Sequence, residues 1–169
     1  MRENLALAGL ALAFALPAHA EDAPMLPSPE TQVENAVTDF MNAIASDDKN
    51  LLARFMIPEA MIYIHNQMDP ENPRVDTVAV AGHLERWAAR TGNYVETMNY
   101  DVVLVSGDMA QVWGPYSFTY NGTLTHCGVN SISLVRDAEG AWKVGNTSFT
   151  MVAPARCGEV GADWVDAAE

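Results

Sequence analysis

The chain is poor in the residues that announce metal and redox chemistry. It has two cysteines, Cys127 and Cys157, and four histidines scattered along 169 residues. There is no CxxC and no HExxH, so the spacings that build zinc sites are missing and no metal or cofactor is expected. Positive charge is scarce as well: nine Lys and Arg stand against 22 Asp and Glu, a net charge of −13. That excess repels phosphate backbones and anionic bilayers, which argues against nucleic acid or a membrane as partner. Long apolar runs are also lacking. The one continuous stretch, Leu5 to Leu16, is too short to span a bilayer comfortably.

That stretch has another reading. Arg2 precedes it, and Ala18-His19-Ala20 follows with small residues around a cut before Glu21. This is the layout of a secretory signal peptide over residues 1–20, so the expectation is a periplasmic or secreted protein. No cysteine follows the cut to carry a lipid. An oxidising compartment favours a Cys127–Cys157 disulfide, although two inert thiols fit the sequence equally.

Residues 21–28 are acidic and Pro-rich, a loose leader. Ser28-Pro29-Glu30 then starts a helix, with Val33, Val37, Phe40, Met41 and Ile44 forming its apolar stripe. Leu51 to Met56 suggests a short second helix stopped by Pro58, and "MIYIHN" (Met61–Asn66) a strand. The loop "QMDPENPRVD" leaves room for a brief strand at Arg74–Val78, and a third helix spans Val78–Arg90. Four strand-like runs follow, Tyr94–Val105, Ala110–Tyr120, Leu124–Val135 and Trp142–Val152, joined by "SGD", "NG" and "DAEG". Helices first and a meander afterwards is α+β: one domain over 29–152, with a C-terminal tail over 153–169.

The Asn121-Gly122 turn sets a register. It pairs Ser117 with His126 and Trp113 with Asn130; the following turn pairs Asn130 with Ser148. One face then carries Trp113, His126, Asn130, Trp142, Val144, Asn146 and Ser148, a polar track in an apolar wall. The other carries Tyr116, Phe118, Tyr120, Cys127, Phe149 and Met151. His126 and Cys127 therefore point apart and cannot work as a thiol–imidazole dyad. Polar groups converging in an apolar wall suit a small-molecule pocket. The aromatic opposite face needs a cover, which suggests a homodimer.

Two stretches, "SGDMAQVWGPYSFTYNGTLTHCGVNSISLVR" and "GAWKVGNTSF", together with the element order, resemble the nuclear transport factor 2-like, or SnoaL-like, superfamily over Pro29–Val152. The resemblance implies a cone: a curved antiparallel sheet wrapped around N-terminal helices, with a central cavity and an outer face that forms dimers. It places Trp142, Val144, Asn146 and Ser148 inside the cone, with Trp113, His126 and Asn130. Isomerases of that superfamily use a carboxylate base opposite a tyrosine and a protonated acid. Here Glu96, Asp101, Tyr63 and His65 supply the residue types without matching the pattern position by position. The candidate catalytic residues are thus His126, His65 and Glu96. The candidate ligand contacts are Tyr63, His65, Trp113, His126, Asn130, Asn146 and Ser148. His83, among Glu85, Arg86 and Arg90, reads as part of a solvated helix side. The expected function is binding of a small, largely apolar molecule; the alternatives are an isomerase, dehydratase or hydrolase, or a homodimeric association module.

Overall fold

A computed structural model of the chain describes residues 26–162; the expected signal peptide, most of the leader and the last seven residues lie outside that range. Helix α1 (Pro29–Ala45) starts as the sequence dictates, with Ser28 Oγ accepting from the Thr31 backbone N–H at 3.1 Å. Its stripe of Val33, Val37, Phe40, Met41 and Ile44 is buried in the main core. A short 3-10 turn (Lys49–Arg54) replaces the expected second helix, and Asp48 caps it.

The sheet has seven strands: β1 (Met61–Gln67), β2 (Arg74–Ala79), β3 (Tyr94–Met98), β4 (Val102–Ser106), β5 (Met109–Tyr120), β6 (Thr123–Arg136) and β7 (Trp142–Val152). Helix α2 (Val80–Ala88) follows β2 directly. The strand order is β2-β1-β7-β6-β5-β3, with β4 also pairing β5. Every pair is antiparallel except β1 with β7, so the sheet is mixed. This open curved sheet with helices is an α+β cone.

The run expected as one strand over Tyr94–Val105 is two. Its partner β5 carries Gly114-Pro115 at the break; Pro115 has no N–H for the ladder, and Gly114 leaves room for the Asn99 carbonyl to press in. The Asn121-Gly122 turn has both residues at positive φ, 49° and 76°, the geometry of a type I′ hairpin.

Two bulges overturn the inferred register. Thr119 pairs with Leu124 but Phe118 pairs with His126, so Thr125 is the extra residue. Leu134 pairs with Val144 but Ser133 pairs with Asn146, so Gly145 is extra. Each bulge shifts by one residue everything beyond it, and a one-residue shift changes which side chains share a face. The faces are set accordingly. One row across the sheet reads Val78, Ile62, Thr147, Ile132, Val112 and Val103, and all of them are in or against the core. The next row reads Thr77, Tyr63, Ser148, Ser131, Trp113 and Val102, and it faces outward. The aromatic outer face expected from sequence does not exist: Tyr116, Phe118, Phe149 and Met151 turn inward.

Beyond β7 a second 3-10 turn (Pro154–Val160) packs on β6. Cys157 is joined to Cys127, with their Cα atoms 5.6 Å apart, inside a small second core with Val152 and Ala162. Cys127 therefore has a structural partner and no reactive thiol.

Candidate functional site

The concave face and the helices enclose a cavity of about 320 Å³. Its sheet wall comes from β5, β6 and β7: Tyr116 and Phe118, then His126, Asn130 and Ile132, then Thr147, Phe149 and Met151. Ile62 and Ile64 of β1 continue it, and Phe40, Ile44, Leu52 and Met56 form the apolar side opposite. Helix α2 supplies the rim with His83, Arg86 and Trp87, and Arg90 just beyond its C-terminus joins them. The size is at the lower end for small-molecule sites.

Polar groups also sit in this apolar wall, among them Asn130, Glu96, Tyr116 and His126. Asn130 is buried and donates through Nδ2 to Glu96 Oε1 at 2.6 Å. Burial raises the Glu96 carboxyl to about 7, although the Asn130 hydrogen bond acts to lower it. At neutral pH this group is therefore shared between acid and carboxylate. Tyr116 donates its hydroxyl to the Thr150 carbonyl at 2.9 Å. Burial, with Glu96 nearby, raises its pKa still further, so it stays protonated and its proton is already committed.

His126 is held by the bulge. Thr125 Oγ1 donates its single proton to the Phe118 carbonyl at 3.0 Å and lies 2.9 Å from His126 Nδ1. With that proton used, the Nδ1 must carry the hydrogen and Thr125 must accept it. Nε2 then keeps its lone pair, and it has no hydrogen-bond partner among the described residues. Burial lowers the imidazole to about 4, so it is neutral. The ring stacks on Phe118 with centroids 5.0 Å apart.

Of the residues singled out from sequence, His126, Asn130 and Glu96 line the cavity. The others do not, for identifiable reasons. Tyr63 and His65 lie on the outward parity of β1 and are exposed, while Ile62 and Ile64 face in. Trp113, Asn146 and Ser148 belong to the outer face because of the two bulges; Trp113 is 49% exposed and Asn146 accepts from the Met61 N–H. Glu96 and His126 are two strands apart on either side of Phe118, roughly 10 Å across the backbone. With His65 outside, the three candidate catalytic residues do not form one constellation.

Sequence reasoning missed the rim. His83 stacks on Trp87 at 5.7 Å instead of facing solvent, and burial together with Arg90 and Arg86 lowers it to about 4. Its spacing to Trp87, four residues on one helix face, was the available signal. Gly145 inside a strand was a signal for the β7 bulge. Nothing in the sequence marked Thr125.

Among the described residues no three His, Cys, Asp or Glu side chains gather as a metal site, and no helix is long and apolar enough to cross a membrane.

Neither a protein-family profile nor a curated protein matches the chain. Solved structures do. A nuclear transport factor 2-like protein from Cytophaga hutchinsonii superposes with a TM-score of 0.60 at 14% identity, covering 74% of this chain and 99% of that one. The beta subunit of a putative aromatic-ring-hydroxylating dioxygenase from Novosphingobium aromaticivorans gives 0.58 at 9% identity, covering 73% and 89%. A nuclear transport factor 2-like superfamily protein from Salmonella enterica gives 0.53 at 15% identity, covering 73% and 91%. At such identities the shared property is architecture: the chain has the nuclear transport factor 2-like fold.

Proposed function

We propose that the protein binds a small, largely apolar molecule in the cavity enclosed by β5, β6, β7 and α2. The observation that carries this reading is the wall itself. Phe118, Phe149, Ile62, Ile64 and Met151 surround unfilled space, with Asn130–Glu96 and His126 as the polar groups that orient a guest. Exported, as its first twenty residues suggest, the protein acts outside the cytoplasm.

Titration with the neutral fluorophore N-phenyl-1-naphthylamine tests this. Expected is one site per chain with micromolar affinity, weakened at least about ten-fold in Met151→Trp, which fills the cavity. No binding to the wild type, or equal binding by the folded variant, contradicts it.

A second reading is proton transfer, favoured by a Glu96 carboxyl that is near neutrality at a cavity wall. It uses Glu96 alone as acid or base, since His126 is separated from it by Phe118. Association of two chains is a further part of the proposal. Its surface is the outer strip of Val102, Leu104, Met109 and Trp113, exposed at 42%, 60%, 62% and 49%. A monomer in sedimentation at micromolar concentration contradicts that part.

A further inference from the structure

We infer that the ligand is an anionic amphiphile: a flat or compact apolar body seated against Phe118 and Phe149, and a carboxylate-type head held at the cavity rim by Arg86 and Arg90. This rests on the reading of the cavity as a binding site and adds the chemical class of its occupant.

The argument starts from charge. Cations are few in this chain, and acids outnumber them by more than two to one. Arg74, Arg136, Lys143 and Arg156 each pair with a carboxylate. Among the described residues, Lys49, Arg54, Arg86 and Arg90 make no such pair; Arg86 and Arg90 line the cavity, Lys49 lies by the Trp87 ring, and the exposed Arg54 is not part of the lining. Lys49 Nζ lies 5.9 Å from the Trp87 ring and 5.3 Å from Tyr94. The Arg90 guanidinium lies 4.9 and 5.3 Å from the same two rings. Arg86, four residues before Arg90, lies on α2 with its guanidinium over Gly82, and both arginines line the cavity. In a protein with so many carboxylates to spare, an unneutralised cation cluster marks a place kept for an anion.

The pairing of the two arginines with an apolar wall narrows the anion. Arg86 and Arg90 present two guanidiniums to one cavity, and two guanidiniums match a planar carboxylate better than a neutral group.

The orientation follows from the opposite end. Glu96 sits deep in the wall with Asn130, where a second anion is repelled whenever Glu96 is ionised. The head therefore points to α2 and the apolar body inward. His83 stays neutral beside the arginines and adds no charge of its own.

Calorimetric titration of the intact protein with 2-naphthoate and its neutral isostere 2-naphthamide tests the inference. The naphthoate is expected to bind at least about ten-fold more tightly at low salt, with the advantage shrinking as salt is raised. In the double variant Arg86→Gln/Arg90→Gln the preference for naphthoate over naphthamide should fall to within about three-fold. Both arginines are exposed, so the variant should fold; thermal melting checks this, and Arg86→Lys/Arg90→Lys should keep part of the preference. Equal binding of the two compounds to the wild type, or a preference that survives in the folded glutamine variant, overturns the anionic class while leaving the binding site standing. Failure of both compounds and of N-phenyl-1-naphthylamine to bind overturns the binding site as well.

Discussion

Glu96 and His126 respond to the same burial in opposite senses, and this makes them separable in solution. The folded chain holds the Glu96 proton up to about 7, against an ordinary value of 4.5. Between those values the folded state binds more protons than the unfolded one, so stability falls as pH rises. Compared with Glu96→Gln, which keeps an oxygen for Asn130, the wild type should lose up to about 3 kcal/mol between pH 4.5 and 8. Urea unfolding at several pH values measures it, and parallel profiles for the two proteins contradict it. His126 works on the acid side. Its folded value is about 4 against 6.5, so its contribution is lost as pH falls through that window. His126→Phe retains the stacking on Phe118 and should soften the acid-side loss by about 1–2 kcal/mol, discounted for partial exposure. At this scale the sequence was informative where the residue type was unusual for its setting: a histidine, an asparagine and a glutamate among strand-forming apolar residues. It was uninformative for Arg86 and Arg90, whose role depends on the missing carboxylate partners and not on their own neighbours in the chain.

At the scale of elements, the helices and strands were legible because hydrophobic period and turn chemistry are local. Facing was not, because one inserted residue reverses it. Thr125 and Gly145 exchange Trp113, Asn146 and Ser148 for Phe118, Thr147 and Phe149 on the cavity wall. The close approach of β6 and β7 gives a test of the observed pairing. A Cβ at Gly128 would overlap the Thr150 carbonyl oxygen, which already accepts from Tyr116. Backbone cannot yield as a side chain does, so Gly128→Ala should cost about 2 kcal/mol or more by denaturant unfolding. A change under about 0.5 kcal/mol contradicts the pairing. The disulfide belongs to the same scale. It ties the last 3-10 turn to β6 across a separation of 30 residues, and Cys127→Ser/Cys157→Ser should lose about 3–4 kcal/mol. Full stability of that double variant contradicts the role of the bridge.

The whole molecule combines an acidic surface with a cavity whose rim is cationic. The surplus of acids repels polyanions, while the rim at α2 is the short-range positive site proposed for a small anion. The cone follows from consistent cues over the whole chain: an amphipathic α1, a hairpin meander, and a sheet whose apolar inner face needs helices to cover it. The fold fixes a cavity without naming its occupant, and relatives at 9–15% identity add architecture alone. The central claim is that the inner face, and not the outer one, holds a ligand. A crystal structure of the protein grown with 2-naphthoate tests it most directly. The account predicts density for the ring between Phe118 and Phe149 with the carboxylate toward Arg86 and Arg90; an empty cone with the compound against Trp113 or Tyr63 would contradict it.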